Sequence, residues 1–382
     1  MAYREKNTLN IRFLFGITQT TFNVDSKGQK MFWDPVFQKS YGYASANNIK
    51  HNVKETFIIE SGEELPQKIY EKKYGDSSNG KQGAMWQFID FTTASPALFG
   101  LWNSKETTAK DKRFVAISQQ GGCHFSHMVP IHTLLSKFDS TDGVNRGNSV
   151  NSSIYFKGKD DAKYFTPEEL AKGEKISIED AIEEFKETPS NFFPLPTEVS
   201  GIYQQITTVD LDTFAMFDLS NNPNLIDDEI KEALNNGCRK VVINEKEWLA
   251  PPKEKRIEAF KYFIEALFEW DFTSNNSVGN LPKELLRVDV SLNKGNKFLQ
   301  ATFAEVKTKQ VNNKEEREVA ELVLNDNING VYSYNTLLLK KYYNTCNNSN
   351  IKTDINADDN AKEKLLELGC NFLEQQEQKL AD

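Results

Sequence analysis

Between Asn10 and Thr18 the chain reads NIRFLFGIT, and between Ala44 and Phe57 it reads ASANNIKHNVKETF. The first run is rich in β-branched and aromatic residues and ends in polar turn material, so it reads as a buried strand. In the second, Ile49, Val53 and Phe57 recur at a spacing of four, which makes one apolar helical face, and Ser45 stands where an N-cap belongs. A loop through Asp25, Gly28 and Pro35 joins the two. The result is a strand, loop, helix unit from which the rest of the chain can be read outward.

Residues 61–83 are polar and close on GDSSNGKQG, a surface insertion. Strand character returns in Arg113–Ser118 and in His124–Ile131, with Gln119–Gly122 between them as a bulge or tight turn. Residues 138–200 form a long excursion with a short strand over Ser153–Lys157 and an acidic helix over Ile178–Lys186, opened by a capping box at Ser177 and Asp180. A strand, bent midway, is expected over Ile202–Leu219. After Pro251–Pro252, the helix Lys253–Trp270 carries Ile257, Phe260, Ile264, Leu267 and Phe268 on one stripe. Leu285–Leu292 alternates as a half-buried strand, and two weaker strands and a terminal helix follow residue 295. The order strand, helix, strand, strand, helix, strand predicts an α+β fold. That is the ferredoxin-like, RRM-like order (βαββαβ) of a palm interrupted by inserted segments. The expected division is 1–60 first half of the palm, 61–112 an insert, 113–137 palm strands, 138–200 a second insert, 201–295 second half of the palm, and 296–382 C-terminal strands and helix.

The 382 residues include 38% hydrophobic and 26% charged side chains, enough for a packed core. No apolar run is long enough for a membrane span, and the opening MAYREKNTLNIRFLFG lacks the pattern of a signal peptide, so a cytoplasmic protein is expected. Cys123, Cys238, Cys346 and Cys370 are scattered, without a C-x-x-C pair. There is no phosphate-binding G-x-x-x-x-G-K-[ST] loop, no H-E-x-x-H and no G-x-S-x-G elbow, so the common enzyme classes find no motif and no cofactor is expected. The net charge of −9 opposes a nucleic-acid role unless the site is a local patch. Acidic residues gather at 166–188 and 361–380, leaving room for one elsewhere.

The runs ITQTTFNVDSKGQKMFWDPV and SYGYASANNIKHNV resemble the opening of the Cascade backbone protein, the Cas-seven or DevR-like branch of the RAMP superfamily of CRISPR-associated RNA-binding proteins. There a first strand leads through a loop into a Ser-x-x-x-[Ile/Leu]-Lys-[His/Arg] helix start, matched by Ser45, Ile49, Lys50 and His51. DFTTASPALFGLW (Asp90–Trp102) is similar to the family's Phe-Gly segment, and ISQQGGCHFSHMVPIH (Ile117–His132) to its Gly-then-Ser-His strand. Arg256–Trp270 and the SNNSVGN after it resemble the second palm helix and its loop; the pieces cover about a third of the chain. The resemblance implies a non-enzymatic, crRNA-binding backbone subunit of a type I complex, whose palm carries inserted finger-like and thumb-like segments, with 61–112 as the finger-like one and 138–200 as a candidate for the thumb. Its partners would be crRNA, target DNA (RNA possible), other copies of itself in a helical filament, and other Cascade subunits. In relatives from the other complex class, an aspartate in the loop after the first strand cleaves bound target RNA with a divalent metal. Asp25 or Asp34 would take that place here, but a lone loop aspartate is more often a turn former, and no carboxylate cluster accompanies either.

The candidate RNA-binding residues are Ser45, Asn47, Asn48, Lys50, His51 and Lys54, where cationic side chains meet the free N–H groups of a helix start. The same residues also read as a solvated polar face opposite Ile49 and Val53. Ser126 and His127 are further candidates for RNA contact. Cys123, His124, His127 and His132 invite a metal, but strand alternation would put His124 and His132 on one side and His127 on the other, so no metal site is expected. Among the 12% aromatic residues, Phe214, Phe217, Phe260 and Phe268 are expected in the core, while exposed rings could stack on bases. A protein-interaction module that binds no RNA is the reading the net charge favours.

Overall fold

The computed structural model describes residues 7–22, 24–25, 28–64, 69–71, 84–86, 90–106, 114–139, 154–157, 162–165, 198–222, 227–272, 283–294, 302–311, 315–324, 331–335 and 360–381. Its centre is a mixed α/β unit built on a mostly antiparallel sheet. Strand β1 (Asn7–Thr20) is the middle strand, because Leu9, Ile11, Phe13, Phe15 and Ile17 alternate into the core while the residues between them form a second buried face. It pairs antiparallel with β3 (Glu198–Asp210) on one side and β4 (Glu284–Lys294) on the other. Phe13 lies opposite Gln205 and Val288. Beyond β3 lies β2 (Cys123–Phe125), beyond β4 lies β5 (Val331–Asn335), and the order is β2-β3-β1-β4-β5. Both outer pairings are antiparallel, so β2 runs in the direction of β1 with β3 between them.

Helix α1 (Ala46–Ser61) lies between β1 and β2 in the chain, and α2 (Lys253–Glu269) between β3 and β4. Both cover one face of the sheet. α1 buries Ile49, Val53 and Phe57, and α2 buries Phe260, Phe263, Ile264 and Leu267, in a single cluster with the inward residues of β1. Of the stripe expected for α2, Phe260, Ile264 and Leu267 are buried while Ile257 and Phe268 are partly buried against the same cluster, and Phe214 and Phe217 are also buried. The C-terminal helix α3 (Asn360–Ala381) closes over α2 with Leu365 and Leu373 buried. At Gly369 the helices approach so closely that a Cβ would come within 2.0 Å of the Phe260 ring.

On its opposite face the sheet carries Thr8, Asn10, Arg12 and Leu14 from β1. The hairpin Thr302–Val311 with Glu315–Leu324 supplies Leu322 to a cluster with Leu14 and Leu286. Arg287 donates to Asp289 at 2.7 Å, Ser333 donates to the same oxygen at 2.7 Å, and Arg12 donates to Gln204.

Three expectations change. The strand expected over Arg113–Ser118 is present as Phe114–Gln119 but pairs with Leu101–Glu106 in a separate two-stranded sheet, not in the central one. The strand foreseen over His124–Ile131 is broken into β2, a lone bridge at Met128, and the pair Val129–Pro130. The break falls at Ser126, whose hydroxyl takes the N–H of Ile206 at 2.8 Å where a carbonyl would continue the ladder. Pro130 has no N–H to give. The strand foreseen over Ile202–Leu219 ends at Asp210, and Phe217–Asp218 joins a separate three-stranded sheet with Arg239–Ile243 and Lys246–Ala250. That small sheet and the helix Asp227–Asn235 were not foreseen. The strand foreseen at Ser153–Lys157 is present as Ile154–Lys157, paired with Ala162–Phe165, and the tail strands and helix are present. The helix expected over Ile178–Lys186 lies outside the described residues. No helix among the described residues is long and apolar enough to cross a membrane.

The paired glycines expected to make a turn have a specific task. A Cβ on Gly121 would sit 2.6 Å from the Leu98 carbonyl, and Gly100, at φ +83, would press on the Gln119 carbonyl. The short helix Ser95–Phe99 thereby packs backbone to backbone against the loop entering β2.

Candidate nucleic-acid interface

The start of α1 is set by Ser45, which holds extended backbone angles and accepts a hydrogen bond from the Asn48 N–H at 3.4 Å. No acidic residue occupies the first turn. With Ile49, Val53 and Phe57 buried, Asn47 and His51 are exposed and Lys50 and Lys54 are half-buried. Asn48 accepts from the Asn52 side chain at 3.4 Å, so it braces the helix surface. His51 pairs with Glu55 at 3.2 Å. Lys50 has no ion pair among the described residues. Burial lowers its pKa, with the neighbouring Cys123 acting in the opposite direction.

His127 reaches this end of the helix from the segment after β2. Its Nδ1 accepts the N–H of Ala46 at 2.8 Å, and its ring lies 5.4 Å from that of Tyr43. Ser45, Asn47, Lys50 and His51 share the start of one helix, and His127 joins it through the Ala46 N–H although it is 81 residues away in the chain. The imidazole changes what the helix start offers. Ala46 gives its N–H to His127, and Asn48 and Ile49 give theirs to the Ser45 carbonyl at 3.0 and 3.1 Å. Side chains, more than the amides expected from the sequence, are what this end presents to solvent. Ser126 stands apart from the group, since its hydroxyl accepts from Ile206 and donates to the His127 carbonyl at 2.8 Å.

The cysteine and histidines of 123–132 do not share a centre. Cys123 is buried with its thiol pKa pushed up by desolvation, and His124 is exposed. His132 accepts from the Leu134 N–H at 3.1 Å. Among the described residues no group of three or more His, Cys, Asp or Glu side chains could hold a metal ion. Asp34 is a turn former here: it accepts from the N–H groups of Val36 and Phe37 at 2.9 and 3.2 Å and from the Thr133 hydroxyl. The Thr133 bond holds its pKa below the ordinary carboxylate value. Asp25 lies in the small strand pair Val24–Asp25 and Gly28–Gln29, and its side chain is outside the described residues.

Beside this site the sequence reading misses the hairpin of Met31–Asp34 with Lys39–Gly42, which leads through Tyr43 into α1. Phe32 and Trp33 are 56% and 55% exposed, and Tyr41 lies against Phe32 at 5.6 Å. The signal was the pair of short runs MFWD and KSYG around the turn-forming Asp34–Pro35.

No family model matches the chain, and no curated protein matches it. Solved structures do. One chain of a CRISPR RNA-guided surveillance complex is 12% identical over 74% of this chain and 68% of that one, with a TM-score of 0.34. A chain of such a complex in a pre-nicking state is 10% identical over 74% and 77%, also at 0.34. Csc2 of Thermofilum pendens is 7% identical over 76% and 68%, at 0.30.

Proposed function

We propose that the chain is a crRNA-binding backbone subunit of a CRISPR surveillance complex of the Cascade type. The guide's sugar-phosphate strand would pass the start of α1, held by Lys50, Lys54, His51 and Asn47. Ser45 would keep the helix start in place and His127 would orient it. Several copies would line up head to tail along one guide, leaving the pairing edges of its bases open to target DNA, so that sequence is read by pairing and not by this protein. Other Cascade subunits would cap and complete the assembly in the cytoplasm. No bond is made or broken by the chain on this reading, and no cofactor is required.

The observation that carries it is Lys50: a half-buried cation at a helix start with no acidic residue in its first turn and no ion pair among the described residues, in a protein of net charge −9. Such a cation costs desolvation without a protein partner to offset it, and an anion from outside would supply one. Two further points support the reading. The sheet order β2-β3-β1-β4, with α1 and α2 between its strands in the chain, supports reading the centre as a ferredoxin-like palm. Its first crossover helix opens on the motif Ser45, Ile49, Lys50, His51.

The test is expression beside a CRISPR transcript, followed by purification and sequencing of the protected RNA. Recovery of repeat-spacer guides is the expected result. Protein that elutes free of nucleic acid, or with unrelated RNA, would remove the reading in favour of a protein-interaction module.

A further inference from the structure

We propose that the hairpin Met31–Gly42 is a base-stacking platform, in which Phe32 and Trp33 each receive the face of one nucleobase from a single strand whose phosphates run past α1. The inference rests on the reading of α1 as a nucleic-acid site and adds to it a contact with the bases.

Exposure is the first ground. Of the eight large hydrophobic side chains exposed among the described residues, Phe32, Trp33 and Val36 fall within this one hairpin. Single exposed apolar residues are ordinary, whereas a cluster with two rings calls for a ligand. Geometry is the second. Phe32 pairs with Tyr41 across the hairpin and Trp33 with Ser40, so adjacent positions point the two rings to opposite faces. A flat protein surface would cover one face and leave the other ring wet; a strand of bases can reach both.

Rigidity is the third ground. Asp34 ties the turn to Thr133, the Phe37 ring meets His132 at 4.8 Å, and the Tyr43 N–H bonds the Lys30 carbonyl at 3.1 Å. The exposed rings are thus held on an anchored element, which lowers the entropy lost when a base stacks on them. Charge is the fourth. Residues 28–54 contain Lys30, Lys39, Lys50 and Lys54 against Asp34 alone, a balance of +3 (four minus one) within a chain of −9. Aromatic rings interleaved with lysines suit single-stranded nucleic acid better than an apolar protein face, and stacking is tolerant of base identity, as binding of arbitrary sequences requires.

The experiment compares the full chain with a variant carrying Phe32→Ala and Trp33→Ala. The probes are a short fluorescein-labelled oligouridylate and an abasic phosphodiester of the same length. Both rings are more than half exposed, so an unchanged thermal melt is expected of the variant. Oligouridylate binding should weaken about tenfold or more, with abasic binding and the salt dependence unchanged. Phe32→Tyr with Trp33→Phe should restore most of the loss. Equal affinities for both proteins, or an equal loss on both probes, would overturn the stacking role while leaving the α1 site standing. An unchanged oligouridylate affinity with altered sedimentation of the protein would overturn it in favour of an interface between copies. If the parent chain binds neither probe, the reading of α1 fails as well.

Discussion

The two helices that cover the central sheet each place a basic residue within about one turn of their start, and the molecule treats the two in opposite ways. In α2, Arg256 is fully buried and every arm is used: Nε donates to the Phe214 carbonyl at 3.0 Å, Nη2 to Gln376 at 2.9 Å, and Nη1 to Glu377. Burial pushes its pKa down to about 10 against the pull of Glu377, a carboxylate delivered by α3 from 121 residues away. In α1, Lys50 is half-buried beside Cys123 and receives no carboxylate among the described residues. Where the chain supplies the counter-charge, the cation is part of the fold. Where it does not, the cation is left for something else to neutralise.

The contrast is most easily broken at Glu377. Glu377→Ala leaves Arg256 buried and uncompensated and Arg239 without its partner, and should cost about 3–5 kcal/mol by urea unfolding. Adding Arg256→Met should recover most of it, whereas Lys50→Met in α1 should leave the midpoint nearly unchanged.

The far end of α2 gives a pH test of the same rule. Lys283 lies over the rings of Trp270 at 4.5 Å and Phe15 at 5.7 Å. Burial lowers its pKa from 10.5 to about 8, opposed by Asp271 and Glu269. The folded state therefore binds this proton less tightly than the unfolded state. The penalty is fully present below about pH 8 and vanishes as pH rises to 10.5. Stability should climb across that window by an amount on the order of 3 kcal/mol at most. Lys283→Met should flatten the climb when unfolding is followed at several pH values.

Packing supplies a smaller effect. Gly369→Ala pushes a methyl into the Phe260 ring and should cost about 1–3 kcal/mol through displacement of α3, read as a lowered melting temperature. Smallest is the cap of α1: Ser45→Ala should cost about 1 kcal/mol, with Ser45→Asp close to neutral for the fold. That same Ser45→Asp should weaken RNA binding by placing a negative charge beside Lys50, which separates the cap's structural task from the surface it presents.

What could be read in the sequence follows from how local each feature is. β1, α1, α2 and β4 were legible because their apolar residues repeat at the period of the element that buries them. The hairpin at Met31–Gly42 was not, because its strands are four residues long and their aromatics face outward, which breaks the in-and-out pattern. β2 is shorter than its hydropathy predicts because Ser126 replaces a backbone partner with its side chain, an exchange that leaves no trace in hydropathy. At the candidate site, Ser45, Asn47, Lys50 and His51 could be chosen together, since one helix start gathers them. The pairing of His127 with Ala46, and of Arg256 with Glu377, joins residues far apart in the chain and is set by the tertiary fold. Ser126 shows the limit of reading residue type alone: next to His127 in sequence, it serves the sheet.

The claim that an unneutralised cation at the start of α1 holds a phosphate strand is tested most directly by the salt dependence of binding. Affinity of the parent chain and of Lys50→Ala for a single-stranded RNA should be measured by fluorescence anisotropy over a series of salt concentrations. Loss of one phosphate contact should weaken binding and reduce the slope of log affinity against log salt by about 0.7. Superimposable lines for the two proteins, with the fold intact, would contradict it.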